Sequence, residues 1–108
     1  MKIYPVFMTD EAEQDLLEIF SSIARLDSIE KANQVLEHLE SLCEKLSSFP
    51  LRGHTLPELE KISVRQYREL HFKPYRIIYH HSSKEVFIHC ILDGRRDLLD
   101  ILQNRLLR

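Results

Sequence analysis

The sequence has little glycine, little cysteine and no long apolar run, and each shortage excludes a class of protein. Two glycines in 108 residues cannot form the glycine-rich loop that cradles phosphates in P-loop or Rossmann proteins. No segment approaches the roughly 20 apolar residues of a membrane-spanning helix, and the first residues lack the apolar core of a signal peptide. We therefore expect a cytoplasmic protein that does not act at a membrane.

The two cysteines, Cys43 and Cys90, lie in apolar segments and lack CxxC spacing. This placement is typical of buried, reduced thiols rather than of a disulfide or a metal pair. The sequence has no G-x-S-x-G motif, and neither cysteine has an obvious activating neighbour. Nucleophilic catalysis is therefore not predicted, no catalytic residue is assigned, and no cofactor is expected.

Six histidines raise the question of a metal site. His80 and His81 are adjacent on a predicted strand, so their side chains point to opposite faces of the sheet. His71 and His89 lie on other predicted strands and would approach them only if the strand register allowed it. Because zinc needs about four ligands in tight geometry, we interpret these histidines as residues of a half-exposed sheet and predict no metal site.

The composition is that of a globular protein, with 44% hydrophobic and 30% charged residues, and its length predicts a single domain over 1–108. The net charge of −2 hides a segregation of charge. Residues 1–48 have 4 basic and 10 acidic side chains, a balance of −6, whereas residues 49–108 have 11 basic and 7 acidic ones, a balance of +4. This indicates either a partner that binds one half or two differently charged solvated surfaces.

The first half of the chain has the period of two amphipathic helices. Residues 2–8 are short and β-prone and predict an edge strand. Thr9 is predicted to cap a helix that carries acidic residues in its first turn. Asp27, with a glutamate three residues later, resembles the start of a capping box for a second helix, which ends before Pro50. So short a connection predicts an antiparallel helical hairpin.

In the second half, a predicted loop at 51–63 is followed by segments with the residue pattern of β-strands. The last strand is apolar on both faces, so both faces should be covered, one of them by the hairpin. A final helix that begins near Arg95 either folds back on the sheet or stays exposed as an anchor. The predicted order is β-α-α-β-β-β-α, an α+β fold with a helical hairpin packed on a mainly antiparallel sheet. The three strands of this half are predicted at 64–71, 75–81 and 86–92.

Basic and aromatic residues alternate along the predicted sheet. Arginines beside planar rings suit phosphate pairing and base stacking, and an acidic protein segment would bind them equally well. The alternative is pairing within the sheet, with Glu69, Glu85 and Asp93. The candidate target-binding face comprises Arg65, Arg68, Arg76, Arg95 and Arg96.

Two segments of the chain resemble the RelE/ParE superfamily of bacterial toxins. They are residues 68–79, which read RELHFKPYRIIY, and residues 91–98, which read ILDGRRDL. Residues 7–16 and 49–53 are also similar to that family, so the resemblance spans nearly the whole chain. It implies the toxin of a type II toxin–antitoxin system, often described as a plasmid stabilisation system. The implied partner is a small ParD-like antitoxin that wraps the toxin in a hetero-oligomer.

The superfamily divides by target. RelE-like members cleave mRNA in the ribosomal A site with basic sheet residues and a terminal Tyr or His, whereas ParE-like members are associated with poisoning DNA gyrase. Arg76 and Arg95 match basic positions of the ribonucleases. The position of the terminal Tyr or His is Ile101, which can neither exchange a proton nor stack as a ring.

The resemblance therefore favours a ParE-like toxin that arrests growth by binding DNA gyrase rather than by its own chemistry. The first alternative is a RelE-like mRNA endoribonuclease that binds the ribosome and takes its acid or base from His71 or His80. The second alternative is an inactive family member.

Overall fold

The computed structural model describes residues 2–107, and within them five strands form one sheet. The elements are β1 (Val6–Met8), α1 (Asp10–Leu26), α2 (Ile29–Lys45), β2 (His54–Thr55), α3 (Pro57–Glu60), β3 (Tyr67–Phe72), β4 (Tyr75–His81), β5 (Val86–Asp93) and α4 (Leu99–Leu106). The strand order is β1-β5-β4-β3-β2, with β1 parallel to β5 and the other neighbours antiparallel. This confirms the α+β fold and the mainly antiparallel sheet.

The helices of the hairpin begin at side-chain caps. Thr9 caps α1, as predicted. The predicted cap of α2, Asp27, is wrong: the hydroxyl of Ser28 accepts the hydrogen bond from the backbone N–H of Lys31, at 3.0 Å. Asp27 instead ends α1, and its N–H donates to the carbonyl of Ile23. Since both residues can serve as caps, the one-residue difference was decided by where the first helix ends.

The segment 51–63, predicted as a loop, contains two short elements. The two-residue strand β2 pairs with β3 at the edge of the sheet, and the one-turn helix α3 begins at Pro57, a residue suited to the first turn of a helix. A left-handed residue, Ser63 with φ of 63°, follows α3. The chain therefore enters β3 at Tyr67 rather than at residue 64.

The sheet is covered on both faces. In β4, Ile77 and Tyr79 face the helical hairpin and Ile78 faces the other side, as predicted from alternation. The final helix α4 folds back over that other side, so it is not an exposed anchor. The hairpin-side core comprises Ala12, Leu16, Val35, Leu39, Cys43, Leu46, Leu70, Ile77, Tyr79, Val86, Ile88 and Ile91. The α4-side core comprises Leu56, Leu59, Ile78, Cys90, Leu92, Leu98 and Leu102.

A helix must be long and apolar to span a membrane. Within residues 2–107, no helix is both long and apolar enough to cross a bilayer.

Candidate functional site

A buried arginine is the centre of a polar cluster on the sheet face that carries α4. The side chain of Arg76 is only 11% exposed. Its Nη1 and Nη2 donate to the two carboxylate oxygens of Glu58 at 2.6 and 2.8 Å. Its Nε donates to Oε1 of Glu69, a carboxylate that is 1% exposed. The guanidinium is therefore held on two sides by negative charge.

Strand register brings this cluster together. Glu69 and His71 are two residues apart on β3, so they share a face of the sheet. Arg76 of β4 pairs with His71, and His54 of β2 pairs with Glu69. Helix α3 then places Glu58 over the guanidinium. These five residues are called the Arg76 cluster below.

The charges of the Arg76 cluster stabilise one another. The hydrogen bonds from Arg76 lower the pKa of Glu58, and burial opposes that shift only in part. The hydrogen bonds to Glu58, with those to Glu69, raise the pKa of Arg76 above its already high value. Two carboxylates and one guanidinium leave a formal charge of −1. The imidazoles lie next to it: Nε2 of His71 is 3.1 Å from Oε1 of Glu69, and Nδ1 of His54 is 3.7 Å from Oε2.

Arg68 and Arg76 lie on opposite faces of the sheet. Arg68 is the neighbour of Glu69 on β3, and successive side chains of a strand alternate. The Nη1 of Arg68 donates to the carbonyl of Gly53 at 2.8 Å. The backbone N–H of Gly53 donates in turn to the buried hydroxyl of Tyr79 at 2.9 Å. Arg68 therefore anchors the loop before β2 on the sheet face that packs against the helical hairpin.

The exposed arginines lie at the ends of strands. Arg95 and Arg96 follow β5, and the side chain of Arg95 is 74% exposed. Arg95 donates to both carboxylate oxygens of Asp93, which lowers the pKa of that carboxyl. Arg65 is exposed in the connection between α3 and β3. The five predicted arginines are thus not gathered on one face, and pairing within the fold occurs for Arg76 and Arg95. Their role in binding a target stays a prediction.

The residues considered for RNA cleavage are dispersed. Ile101 is half-buried and packs against the α4-side core. His71 belongs to the Arg76 cluster. His80 lies instead in a group of rings, with centroids 6.1 Å from Tyr67 and 6.4 Å from His89. Burial, reinforced by the nearby His80, lowers the pKa of His89.

Both cysteines are buried and unpaired, as predicted. Burial raises the pKa of Cys43 and of Cys90 to about 12. A thiol with so high a pKa is not a nucleophile at neutral pH.

Three potential metal ligands come together in the fold that were not predicted as a group. His54, Glu69 and His71 each present a ligand atom, and these atoms lie within 4.8 Å of one another. The spacing of Glu69 and His71 was a usable signal, because residues i and i+2 of a strand share a face. His54 had no comparable signal, because it lay in a predicted loop and joins the group only through the two-residue strand β2.

The family of the chain follows from its similarity to known proteins. The family model described as "ParE toxin of type II toxin-antitoxin system, parDE" matches residues 6–98. This chain belongs to the ParE toxin family. The toxin is 29% identical over 93 residues to Toxin ParE3 of Caulobacter vibrioides, a match that covers 86% of this chain and 89% of that protein.

Two solved toxin–antitoxin structures share the fold of this ParE-family toxin. One is described as the chromosomal ParDE system from P. aeruginosa, with a TM-score of 0.69, 22% identity, and coverage of 82% of this chain and 94% of that one. The other is the RelBE2 toxin–antitoxin complex from Mycobacterium tuberculosis, with a TM-score of 0.62, 22% identity, and coverage of 86% and 93%. Both branches of the superfamily are therefore similar to this toxin in architecture.

Proposed function

We propose that this ParE-family toxin arrests bacterial growth by binding DNA gyrase in the cytoplasm, and that a cognate ParD-like antitoxin neutralises it. One observation carries the choice of gyrase over mRNA. Of the three positions compared with RelE-like ribonucleases, two are taken up inside the fold: Arg76 is enclosed by Glu58 and Glu69, and Ile101 packs on the α4-side core. Only Arg95 is exposed.

The enclosure of Arg76 argues against a role in RNA cleavage. A phosphate would have to displace carboxylates from a guanidinium that is 11% exposed. Breaking such a buried pair is strongly unfavourable, because it leaves a charge without a partner. An isoleucine at position 101 supplies no proton donor. A toxin that acts by binding needs neither group.

The exposed arginines are the proposed contacts with gyrase or gyrase-bound DNA. Arg95 and Arg96 are adjacent and exposed at the end of β5, and Arg65 adds an exposed charge before β3. Exposed guanidinium groups pair with phosphates or carboxylates of a partner at low desolvation cost. Arg68 and Arg76, which are held inside the fold, are assigned the role of positioning the sheet and the loop before β2.

The proposed antitoxin contact includes the outer surface of the helical hairpin. A groove of about 620 Å³ between α1 and α2 is lined by Leu16, Leu17, Phe20 and Leu36 among others, and Leu17 is 60% exposed. An amphipathic segment fits such a groove through its apolar face. Acidic residues of the same antitoxin would pair with Arg95 and Arg96, since opposite charges guide such association.

The test uses purified gyrase and the purified toxin. We expect the toxin to inhibit supercoiling and to trap cleaved DNA. The double variant Arg95→Glu/Arg96→Glu should require at least about tenfold more toxin, because about 1.4 kcal/mol of lost binding free energy already gives that factor. The control is Lys61→Glu/Lys84→Glu, which makes the same change of charge at two exposed positions elsewhere and should inhibit like the wild type.

Three outcomes would contradict parts of this proposal. Full activity of a folded Arg95→Glu/Arg96→Glu variant would exclude these arginines as the contact. Cleavage of mRNA in the ribosomal A site, detected by toeprinting with the wild-type toxin, would replace gyrase binding by ribonuclease activity. Unimpaired growth during expression without antitoxin would identify an inactive family member.

A further inference from the structure

The open side of the Arg76 cluster has the donors and the charge of a metal site. We propose that His54, Glu69 and His71 bind one first-row divalent transition metal ion, with Zn²⁺ as the best fit, and that the ion fastens the edge strand β2 to β3. This proposal concerns a different surface from the gyrase contact and does not depend on it.

The backbone places the three donors around one point. His54 stands directly opposite Glu69 in the β2–β3 pair, and His71 follows Glu69 by two residues on the same face. Their ligand atoms are within 4.8 Å of one another. Zinc–nitrogen and zinc–oxygen bonds are about 2.0–2.2 Å long, so the donors must close in by roughly an ångström. The two imidazoles can supply this movement, since they are 63% and 45% exposed.

The local charge favours a cation. Arg76 neutralises only one of the two carboxylates that surround it, so the formal charge of the three groups is −1. The buried Oε1 of Glu69 accepts the hydrogen bond from Nε of Arg76. The other oxygen, Oε2, faces His54 at 3.7 Å. His71 lies against Oε1 instead, at 3.1 Å, and its exposed ring would turn to reach an ion at Oε2. A metal held there would compensate the remaining charge without displacing the arginine.

The donor set selects the type of metal. Two imidazole nitrogens and one carboxylate oxygen suit Zn²⁺, Co²⁺, Ni²⁺ or Cu²⁺, whereas Mg²⁺ and Ca²⁺ prefer oxygen ligands throughout. Glu69 has an orienting partner of the kind found around metals, since its Oε1 accepts from Nε of Arg76. Nδ1 of His54, which lies 3.7 Å from Oε2 of Glu69, is also 3.0 Å from the carbonyl oxygen of Thr55. This nitrogen would bind the ion once the exposed ring turns away from that carbonyl.

The position of the site gives the ion a structural role. Strand β2 has only two residues, and its pairing with β3 consists of His54 with Glu69 and Thr55 with Arg68. So short an edge strand gains little from its own ladder. A bound ion would cross-link the two strands beside Gly53, whose backbone already contacts Arg68 and Tyr79. Water would fill the coordination position on the exposed side.

The test is a metal titration of the full chain, purified without a histidine tag and freed of metal with a chelator. Titration calorimetry with ZnCl₂ should give one Zn²⁺ per chain, and Co²⁺ should give the visible absorption of a tetrahedral complex. His54→Ala and His71→Ala should each weaken Zn²⁺ binding at least tenfold. The matched controls are His38→Ala on α2 and His80→Ala on the far part of the same sheet face, which should bind like the wild type.

Circular dichroism of each variant shows whether it is folded, and His54→Ala is the safer variant because its side chain is exposed at an edge. Hydrogen exchange of the amides at 53–56 should slow when Zn²⁺ binds to the wild type. The proposal is overturned if the wild type binds no stoichiometric Zn²⁺, or if binding survives unchanged in both His54→Ala and His71→Ala. Loss of binding in His38→Ala or His80→Ala would also overturn it, by placing the ligands elsewhere.

Discussion

Arg76 shows how the surroundings of a residue decide its role. An arginine on a strand rich in aromatic residues is typical of a binding surface, yet this one is surrounded by Glu58 and Glu69. Its aliphatic stem also packs at the end of β5: a Cβ added to Gly94 would lie 2.8 Å from Cδ of Arg76 and 3.1 Å from the carbonyl oxygen of Pro74. Gly94 therefore leaves room for the arginine, which links the two sequence segments that carry the family resemblance.

The pairing of Arg76 with Glu58 predicts a pH-dependent contribution to stability. Arg76 lowers the pKa of Glu58 in the folded state below its ordinary value of 4.5. The contribution is therefore complete above about pH 4.5 and is lost as the pH falls through the folded pKa. We expect Glu58→Gln to lower the free energy of unfolding by about 1.5 kcal/mol near pH 7, at the low end for a hydrogen bond to a charged group, because glutamine keeps one acceptor.

Urea denaturation of the wild type and Glu58→Gln, repeated at several pH values, checks this prediction. The difference in free energy of unfolding should be largest above about pH 4.5 and should shrink at lower pH, where Glu58 itself becomes protonated. A difference that stays constant into strong acid would contradict the assigned role of the ion pair.

From the sequence, the face of the sheet on which a side chain lies could be predicted, but its burial and its partners could not. Alternation along β4 correctly assigned Ile77 and Tyr79 to one face and Ile78 to the other, because a period of two is a local property. Alternation along the strand could not show that Arg76 is buried, because its partner Glu58 belongs to α3 and lies eighteen positions earlier in the chain. His54 is the second such case, because its neighbours come from a strand pairing that has no local signal.

At the scale of elements, boundaries were predicted to within a few residues and short elements were missed. Strand β4 begins and ends at the predicted residues, Tyr75 and His81, because a turn containing Pro74 precedes it and polar residues follow it. Strand β2 and helix α3 were absent from the prediction. Elements of two and four residues have too few positions to establish a period, and they depend on contacts with β3 and with the α4-side core.

The start of α2 offers a test that separates two adjacent residues. The structure assigns the cap to Ser28, whose hydroxyl accepts from the N–H of Lys31, whereas the sequence favoured Asp27. Ser28→Ala should therefore lower the free energy of unfolding by about 1 kcal/mol, the usual cost of a lost N-cap. Asp27→Ala is the matched control and should cost clearly less. Thermal or urea unfolding of both variants decides between them, and a larger effect of Asp27→Ala would assign the cap to the aspartate.

At the scale of the whole molecule, the segregation of charge has a structural explanation. The acidic first half is largely the helical hairpin, whose outer faces meet solvent or, in our proposal, an antitoxin. The basic second half contains most of the sheet, but part of its positive charge is neutralised by ion pairs within the fold. Arg76 pairs with Glu58 and Glu69, and Arg105 of α4 donates to Asp15 of α1. The charge count therefore overstates the basic surface that a target can reach.

The sheet also joins two apolar cores, and this arrangement predicts cooperative unfolding. Residues of β4 and β5 contribute alternately to the hairpin-side core and the α4-side core. Losing the packing of α4 should therefore destabilise the whole chain rather than release one helix. Leu102 of α4 is fully buried, whereas Leu99, one turn earlier, is 39% exposed.

Leu102→Ala should lower the free energy of unfolding by about 2–5 kcal/mol, the usual cost of truncating a buried leucine. Leu99→Ala should cost less than about 1 kcal/mol, because exposed substitutions have small effects.

Urea unfolding followed by far-ultraviolet circular dichroism and by tyrosine fluorescence checks both values. The sequence has no tryptophan, so the fluorescence reports on tyrosines such as Tyr79 in the hairpin-side core and Tyr67 beside α4. Coincident transitions in Leu102→Ala are expected, since both cores share β4 and β5. Separate transitions would show that α4 unfolds independently of the sheet.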